Sequence, residues 1–167
     1  MKGKLEEALS NIDMMYSQVV EIANKIIVVY TKETDELIKQ AYDKIEKLTN
    51  DEIMNLMLKL AMKAYNLADT KERSSLKAEC AEALKKEAYA IEFNKAEGSV
   101  ALRENTALIN ISDEIVSNAI YDLVAGLFKS KLSEIHSVTD TLKSVLLTRM
   151  QEAKLVAMSN GNSMEEN

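Results

Sequence analysis

Apolar residues recur at helical spacing along most of the chain. In the first segment Leu5, Ile12, Val19 and Ile26 lie seven residues apart, and further apolar side chains occupy the companion positions. Four heptads in one register give a continuous apolar face for packing against another helix. The stripe is wider than a strict coiled-coil seam, which favours a helical bundle. The pattern predicts a first helix over about residues 4–30.

Polar clusters that commonly cap helices divide the rest of the chain. Thr31–Thr34 and Asp69-Thr70 predict breaks, and Thr49-Asn50-Asp51 predicts a helix start. Gly98-Ser99 predicts a helix end, because glycine is a favoured C-cap residue, and Ser112 predicts the next N-cap. The predicted helices that follow the first one cover about residues 35–48, 50–68, 71–97, 100–111 and a long segment from 112.

Two of these segments carry apolar stripes that we expect to be buried. The third helix repeats Ile53, Leu56, Leu60 and Leu67 at helical spacing. The fourth helix has a narrower stripe, which consists of Leu76, Cys80, Ala83, Leu84, Ala88 and Ile91. Free cysteine is among the most buried residue types, so Cys80 is expected to be a small buried residue.

The last helix is the longest and carries a heptad track. Its apolar positions alternate three and four residues apart and are interrupted by Thr139 and Arg149. Such a helix exceeds the core of a domain this size, so part of it is expected to project from the domain or to pair with a second copy. The residues assigned to this self-association are Phe128, Leu132, Ile135, Leu142 and Leu146.

Composition supports an all-α fold. The chain has no proline, four glycines and 47% apolar residues, so few helix breakers interrupt it. We therefore predict an all-α helical bundle with a long C-terminal helix and coiled-coil-like packing. The predicted regions are a three-helix region at 1–68, a second helical region at 69–158 that contains the long helix, and a disordered tail at 159–167.

Charge and cysteine content narrow the functional classes. The net charge of −6 argues against a strongly basic nucleic-acid binder. No segment approaches the roughly 18–20 uninterrupted apolar residues of a membrane span, so we expect no membrane partner. The single cysteine cannot form an internal disulfide, which fits the reducing cytoplasm.

Residue patterns for catalysis are weak. The one histidine, His136, lies two residues after Glu134, whereas ligands on one helix face are three or four residues apart. Glu79 and Glu82 share a face, as the Mg²⁺-binding carboxylates of helical nucleotide hydrolases do, but no second acidic pair has the matching spacing. Alternating Glu and Lys on that helix is also typical of a solvated face with ion pairs. We expect no enzyme activity, no cofactor and no metal.

The second half of the chain contains residues that resemble those of a known family. A charged helix reads Ala83-Leu84-Lys85-Lys86-Glu87-Ala88-Tyr89, followed by Lys95-Ala96-Glu97-Gly98-Ser99 and Ala101-Leu102-Arg103. A short apolar segment then leads to Ser112-Asp113-Glu114 and one long helix that ends near Arg149. Over residues 83–150 this order resembles the small phage recombination mediators typified by UvsY.

The resemblance implies an oligomeric protein that binds single-stranded DNA and helps to load a RecA-like recombinase in the cytoplasm of a host cell. It implies that Lys85, Lys86, Lys95 and Arg103 face DNA. Lys129, Lys131, Lys143 and Arg149 on the long helix are further candidates, because phosphate binding needs aligned positive charge.

A second hypothesis follows from the acidic composition and the apolar stripes. The chain would be a non-enzymatic helical module, such as a phage inhibitor or anti-defence protein, that binds a host protein. Salt-sensitive binding to single-stranded DNA would favour the first hypothesis, and a stoichiometric complex with one protein would favour the second.

Overall fold

The computed structural model describes the backbone of residues 2–162 and the side chains of residue 10 and residues 13–159. This part of the chain consists of four α-helices and contains no strand. The helices are α1 (Lys2–Lys44), α2 (Asn50–Lys95), α3 (Val100–Asn110) and α4 (Ser112–Asn162). The predicted all-α fold with a long C-terminal helix is confirmed.

The chain folds into two compact units. Unit 1 comprises Met1–Thr31 and Leu67–Ser130, and unit 2 comprises Lys32–Asn66 and Lys131–Asn167. Each of the three long helices contributes one segment to each unit. This division differs from the sequence-based regions, which were drawn along the chain, because helices that pack side by side join segments far apart in sequence.

Two predicted helix breaks are wrong. Thr31–Thr34 lies inside α1, and Asp69-Thr70 lies inside α2. Thr31 and Thr34 are 2% and 0% exposed. Threonine in a helix interior costs only about 0.5 kcal/mol relative to alanine, so packing of the buried positions outweighs the local preference for a cap.

The end of α4 also differs from the prediction. The helix continues past Ser159 to Asn162, where a disordered tail was expected. The remaining positions of that predicted tail, 163–167, lie outside the described residues.

Other predicted helix boundaries are confirmed by hydrogen bonds. At the start of α2 the Thr49 backbone N–H donates to Glu52 Oε2 at 2.7 Å, and the Glu52 N–H donates to Thr49 Oγ1 at 3.3 Å, which is a reciprocal capping box. After α2, Gly98 has a φ of 106°, a conformation that favours glycine. Ser99 Oγ then accepts from the Leu102 N–H at 3.4 Å and caps α3.

The core of unit 1 forms where α1 and α4 contribute apolar side chains. Phe128 is 1% exposed, and its ring lies edge-on to Tyr30, with the ring centroids 5.6 Å apart. The buried residues of α1 in this unit are Val19, Ala23 and Ile27, and Ile26 is half-buried. The predicted seam is therefore confirmed at Val19, while the side chains of Leu5 and Ile12 lie outside the described residues.

Unit 2 has its own core. It is built from one segment each of α1, α2 and α4 and from the connection between α1 and α2, which contributes Leu48. Its buried apolar residues are Ile38, Ala41, Leu48, Ile53, Leu56, Leu60, Ile135, Val138 and Leu142. The predicted buried face Ile53, Leu56 and Leu60 is confirmed.

The centre of the heptad track on α4 is core, which corrects the assignment of Phe128, Ile135 and Leu142 to self-association. Phe128, Ile135 and Leu142 are 1%, 1% and 0% exposed within a single chain, and Leu132 and Leu146 are half-buried. The seam is filled by the chain's own helices, so its three buried residues present no surface to a second copy.

Candidate partner-binding groove

The predicted buried stripe on the second half of α2 lies on the surface. Leu76 and Leu84 are each 61% exposed, Ile91 is 45% exposed, and Cys80 is exposed. The buried face of this segment instead carries the small residues Ser74 and Ala78. Small side chains let neighbouring helices approach closely, so close packing selects this face over the more hydrophobic one.

The exposed stripe borders a groove between α2 and α4 in unit 1. The groove has a volume of about 540 Å³. We call it the unit 1 groove, and its lining residues are Leu76, Lys77, Cys80, Ala81, Leu84, Asp113, Glu114, Ser117 and Tyr121. Since Leu76, Cys80 and Leu84 are four residues apart, they form one continuous apolar wall along α2.

Charged groups border this apolar wall. Asp113 and Glu114 lie in the first turn of α4, where the helix dipole favours carboxylates. Lys77 lies on the α2 side, and its Nζ is 5.9 Å from the centroid of the Tyr121 ring. One edge of the groove is therefore negatively charged, and the Lys77 ammonium lies against an aromatic ring.

The groove has the chemistry of a binding site for an apolar surface. Its walls carry side chains at helical spacing, which suits the apolar face of an added helix. Within the part of the chain that the structure describes, no group of three His, Cys, Asp or Glu residues could hold a metal ion.

The cations predicted to face DNA from α2 are bound to carboxylates of the same helix. Lys85 and Lys86 both form ion pairs with Glu82, the latter at 3.3 Å. Lys95 pairs with Glu92 at 2.8 Å. These ion pairs reduce the net positive charge that this face of α2 offers to a phosphate backbone.

Arg103 on α3 has a structural role. Its Nε donates to the Phe93 carbonyl at 3.1 Å, and its guanidinium carbon lies 4.2 Å from the centroid of the Phe93 ring. The last carbonyls of a helix have no partner within the helix, and Arg103 supplies one to α2. Arg103 therefore fixes α3 against the end of α2.

The structure does bring two of the predicted cations to one aromatic residue. Lys85, Lys86 and Tyr89 line a second cleft of unit 1, with a volume of about 360 Å³, together with Leu108, Ile111 and Ile115. The ring of Tyr89 is stacked on Phe93, with the centroids 6.0 Å apart. We call this site the Lys85–Lys86 cleft.

The predicted cations of unit 2 also make contacts within the chain. Lys131 pairs with Asp35 at 2.7 Å and with Glu134 at 2.6 Å. Burial lowers the pKa of Lys131, but the hydrogen bonds to Asp35 and Glu134 outweigh that effect, and its pKa is raised. Lys143, in contrast, is exposed on α4, as is Lys129 in unit 1.

Arg149 holds α4 to the connection that follows α1. Its Nη1 donates to the Leu48 carbonyl at 2.5 Å, and its Nη2 donates to the carbonyls of Ile45 at 3.0 Å and Glu46 at 3.1 Å. All four residues belong to unit 2. Its guanidinium therefore donates hydrogen bonds to backbone carbonyls. The spacing of residues in the sequence does not indicate these contacts.

The paired carboxylates Glu79 and Glu82 line a third cleft of unit 1 with Asp122 of α4. Glu82 is engaged by two lysines, and the hydrogen bond and charge of Lys85, together with those of Lys86, lower its pKa. Asp122 accepts a hydrogen bond from the Asn118 amide at 3.2 Å. Asp122 is a single acidic residue on the facing helix, whereas such a site needs a second acidic pair, and the three carboxylates do not form a metal-binding group.

Comparisons of the chain with protein-family models, curated proteins and solved structures gave no match. The resemblance to the UvsY-type mediators therefore depends on the quoted residues alone. Among the described helices, none is long and apolar enough to cross a membrane.

Proposed function

We propose that the protein is a helical protein-interaction module whose unit 1 groove binds an amphipathic helix of another protein. The observation that carries this proposal is the exposure of Leu76, Cys80 and Leu84 along one wall of the groove. A wall of this kind costs solubility and contributes nothing to the core of its own unit, whereas exposed apolar patches commonly mark interaction sites.

The chemistry of the groove defines its occupant. A helix with apolar residues three and four positions apart matches the spacing of the α2 wall. Since Asp113 and Glu114 border the groove, the flank of that helix next to α4 should be basic. The occupant is thus an amphipathic helix with a cationic flank.

A pair of synthetic helices tests this proposal. One has leucine at the apolar positions and lysine elsewhere, and the other has the same leucines with glutamate. We expect the full-length chain to bind the lysine helix with higher affinity, as measured by fluorescence anisotropy of a labelled peptide. The preference should weaken at high salt, because the contacts with Asp113 and Glu114 are screened.

Two variants make the experiment specific. Leu84→Glu places a charge in the apolar wall and should abolish binding, whereas Leu58→Glu, an exposed leucine of unit 2, should leave it unchanged. Equal affinity for both helices, or equal loss of binding in both variants, would contradict the proposal.

A second candidate function is supported by the Lys85–Lys86 cleft. A phage-type recombination mediator that binds single-stranded DNA needs cations beside an aromatic residue, and Lys85, Lys86 and Tyr89 line one cleft. The ion pairs of both lysines with Glu82 weigh against it. Assistance to a RecA-like recombinase is part of this candidate function only through the resemblance of residues 83–150 to the UvsY-type mediators.

A gel-shift series on single-stranded DNA tests the second candidate. Binding that falls with salt and is weakened by Lys86→Ala, but not by Lys143→Ala, would support the cleft as the DNA site. The absence of a shift at low salt would exclude this function and would not affect the proposal that the unit 1 groove binds a helix.

A further inference from the structure

The first half of α2 carries a second exposed apolar stripe, in unit 2. Met54 is 49% exposed, Leu58 is 62% exposed and Tyr65 is 81% exposed, with Ala61 exposed between them. Met62, which is 61% exposed, widens the stripe at one side. The opposite face of the same segment carries Ile53, Leu56 and Leu60, which fill the unit 2 core. We call the exposed set the α2 seam.

The spacing of the α2 seam is that of a coiled coil. The intervals between Met54, Leu58, Ala61 and Tyr65 are four, three and four residues, so these side chains occupy alternating d and a heptad positions. The lysines of this stretch lie off the seam. Lys59, the residue after Leu58, occupies a b position of the heptad, which is outside the contact between two helices. Lys63 forms an ion pair with Glu33 on α1. Between Met54 and Tyr65 a second helix can therefore approach the seam without a lysine in its path.

The seam is complementary to itself in the antiparallel orientation. Antiparallel helices pair an a position with a d position, so Leu58 faces Ala61 of the second copy and Met54 faces its Tyr65. Each layer then joins a large side chain to a smaller or more flexible one, and methionine sulfur packs well against aromatic rings. The same contacts recur on the other side of a two-fold axis, as a closed dimer requires.

The area of the seam is that of a weak dimer. With roughly 200 Å² for a large side chain, the exposed fractions of Met54, Leu58, Met62 and Tyr65 amount to about 500 Å² per copy. Two copies would bury about 1,000 Å², which lies below the roughly 1,200–2,000 Å² of stable interfaces and in the range of weak, transient ones. The interface would be reversible and its population would depend on protein concentration.

We infer that two copies of this chain associate through the α2 seam as an antiparallel pair of α2 segments. The inference places self-association on α2 in place of the heptad track of α4, whose central residues are buried within one chain. It is independent of the unit 1 groove, because the two apolar stripes belong to different units.

Sedimentation velocity on the full chain, from micromolar to near-millimolar concentration, tests the inference. We expect the mass to rise from one chain to two with increasing concentration. Leu58→Glu should hold the chain at the monomer mass with an unchanged circular dichroism spectrum, because position 58 is exposed. Leu84→Glu, in the unit 1 groove, is the matched control and should dimerise like the wild type.

Orientation is tested by disulfide formation in a Cys80→Ser background. A mixture of Leu58→Cys and Ala61→Cys chains should form the mixed disulfide faster than either chain links to itself. A wild type that stays monomeric at all concentrations would overturn the inference. So would a dimer that survives Leu58→Glu, or disulfides that form fastest between two Leu58→Cys chains.

Discussion

Replacement of Arg149 by alanine gives a quantitative test of how unit 2 is held together. The guanidinium donates to the carbonyls of Ile45, Glu46 and Leu48, which follow the C-terminus of α1. These carbonyls lie in the connection beyond Lys44, and a positive charge near a helix C-terminus is also favourable.

The magnitude follows from these three contacts. Hydrogen bonds that involve a charged group contribute about 1.5–3 kcal/mol each when buried. Arg149 is only half-buried, so we expect Arg149→Ala to lower the free energy of unfolding by about 2–4 kcal/mol in total. For a chain of this size that loss corresponds to a fall in Tm of roughly 4–16 °C.

Urea denaturation followed by circular dichroism measures the effect, with Lys143→Ala as the control on the exposed surface of the same helix. Arg149→Lys should recover only part of the stability, because one ammonium cannot span three carbonyls as the planar guanidinium does. A loss in Arg149→Ala no larger than that in Lys143→Ala would refute the reasoning, and would make Arg149 available for the DNA contact that the sequence suggested.

Three further predictions concern single side chains. Thr34→Val should raise the free energy of unfolding by about 1 kcal/mol, because Thr34 Oγ1 is buried without a hydrogen-bond partner; a fall in Tm in a thermal scan would contradict this. Ile135→Ala should lower the free energy of unfolding by about 2–5 kcal/mol at all protein concentrations, since Ile135 is core, whereas a loss that vanished at low concentration would indicate an interface. Hydrogen bonds from Lys95 and Asn110 lower the pKa of Glu92. The contribution of Glu92 to the free energy of unfolding is therefore complete above its unfolded-state pKa of about 4.3, and it is lost as the pH falls through its lower folded-state pKa. Urea midpoints of Glu92→Gln should therefore lie below those of the wild type at pH 7 and converge with them below about pH 4, and parallel curves would contradict the assignment.

Helix ends with a strong local signal were predictable from sequence. The capping box joins Thr49 and Glu52, which are three positions apart, and the positive φ of Gly98 belongs to one glycine. Short sequence patterns therefore contain the information needed to predict both helix ends. The break at Thr31–Thr34 failed because a weak capping preference competes there with tertiary packing. Burial of Thr34 outweighs that preference, and no local pattern indicates it. At Asp69-Thr70 the Asp69 side chain is exposed and accepts a hydrogen bond from Arg73 Nε at 2.9 Å, a contact within the continuous helix.

The candidate groove could not be predicted from hydrophobicity. The stripe Leu76, Cys80 and Leu84 was assigned to the core because it is the more apolar face of its segment. Close helix packing instead buried Ser74 and Ala78. The two small residues Ser74 and Ala78 on the opposite face were the available signal, and whether they are buried depends on how closely a neighbouring helix approaches.

The roles of the predicted cations also depend on contacts that only the folded chain shows. Sequence identifies Lys85, Lys86 and Arg149 as positive charges but does not identify their partners. Glu82 is near enough in sequence for its ion pairs with both lysines to be anticipated from helical spacing. The carbonyls that Arg149 binds lie about a hundred residues away, and only the folded chain brings them together.

The alkylation rate of Cys80 tests the central proposal most directly. Cys80 is the only cysteine of the chain, is exposed, and lies in the middle of the apolar wall of the unit 1 groove. A maleimide reagent should modify it readily in the free protein, and the lysine-bearing amphipathic helix should slow that reaction saturably, while the glutamate-bearing helix should have little effect. An alkylation rate that neither helix changes, under conditions where the lysine-bearing helix binds the chain, would place binding elsewhere and contradict the assignment of the groove.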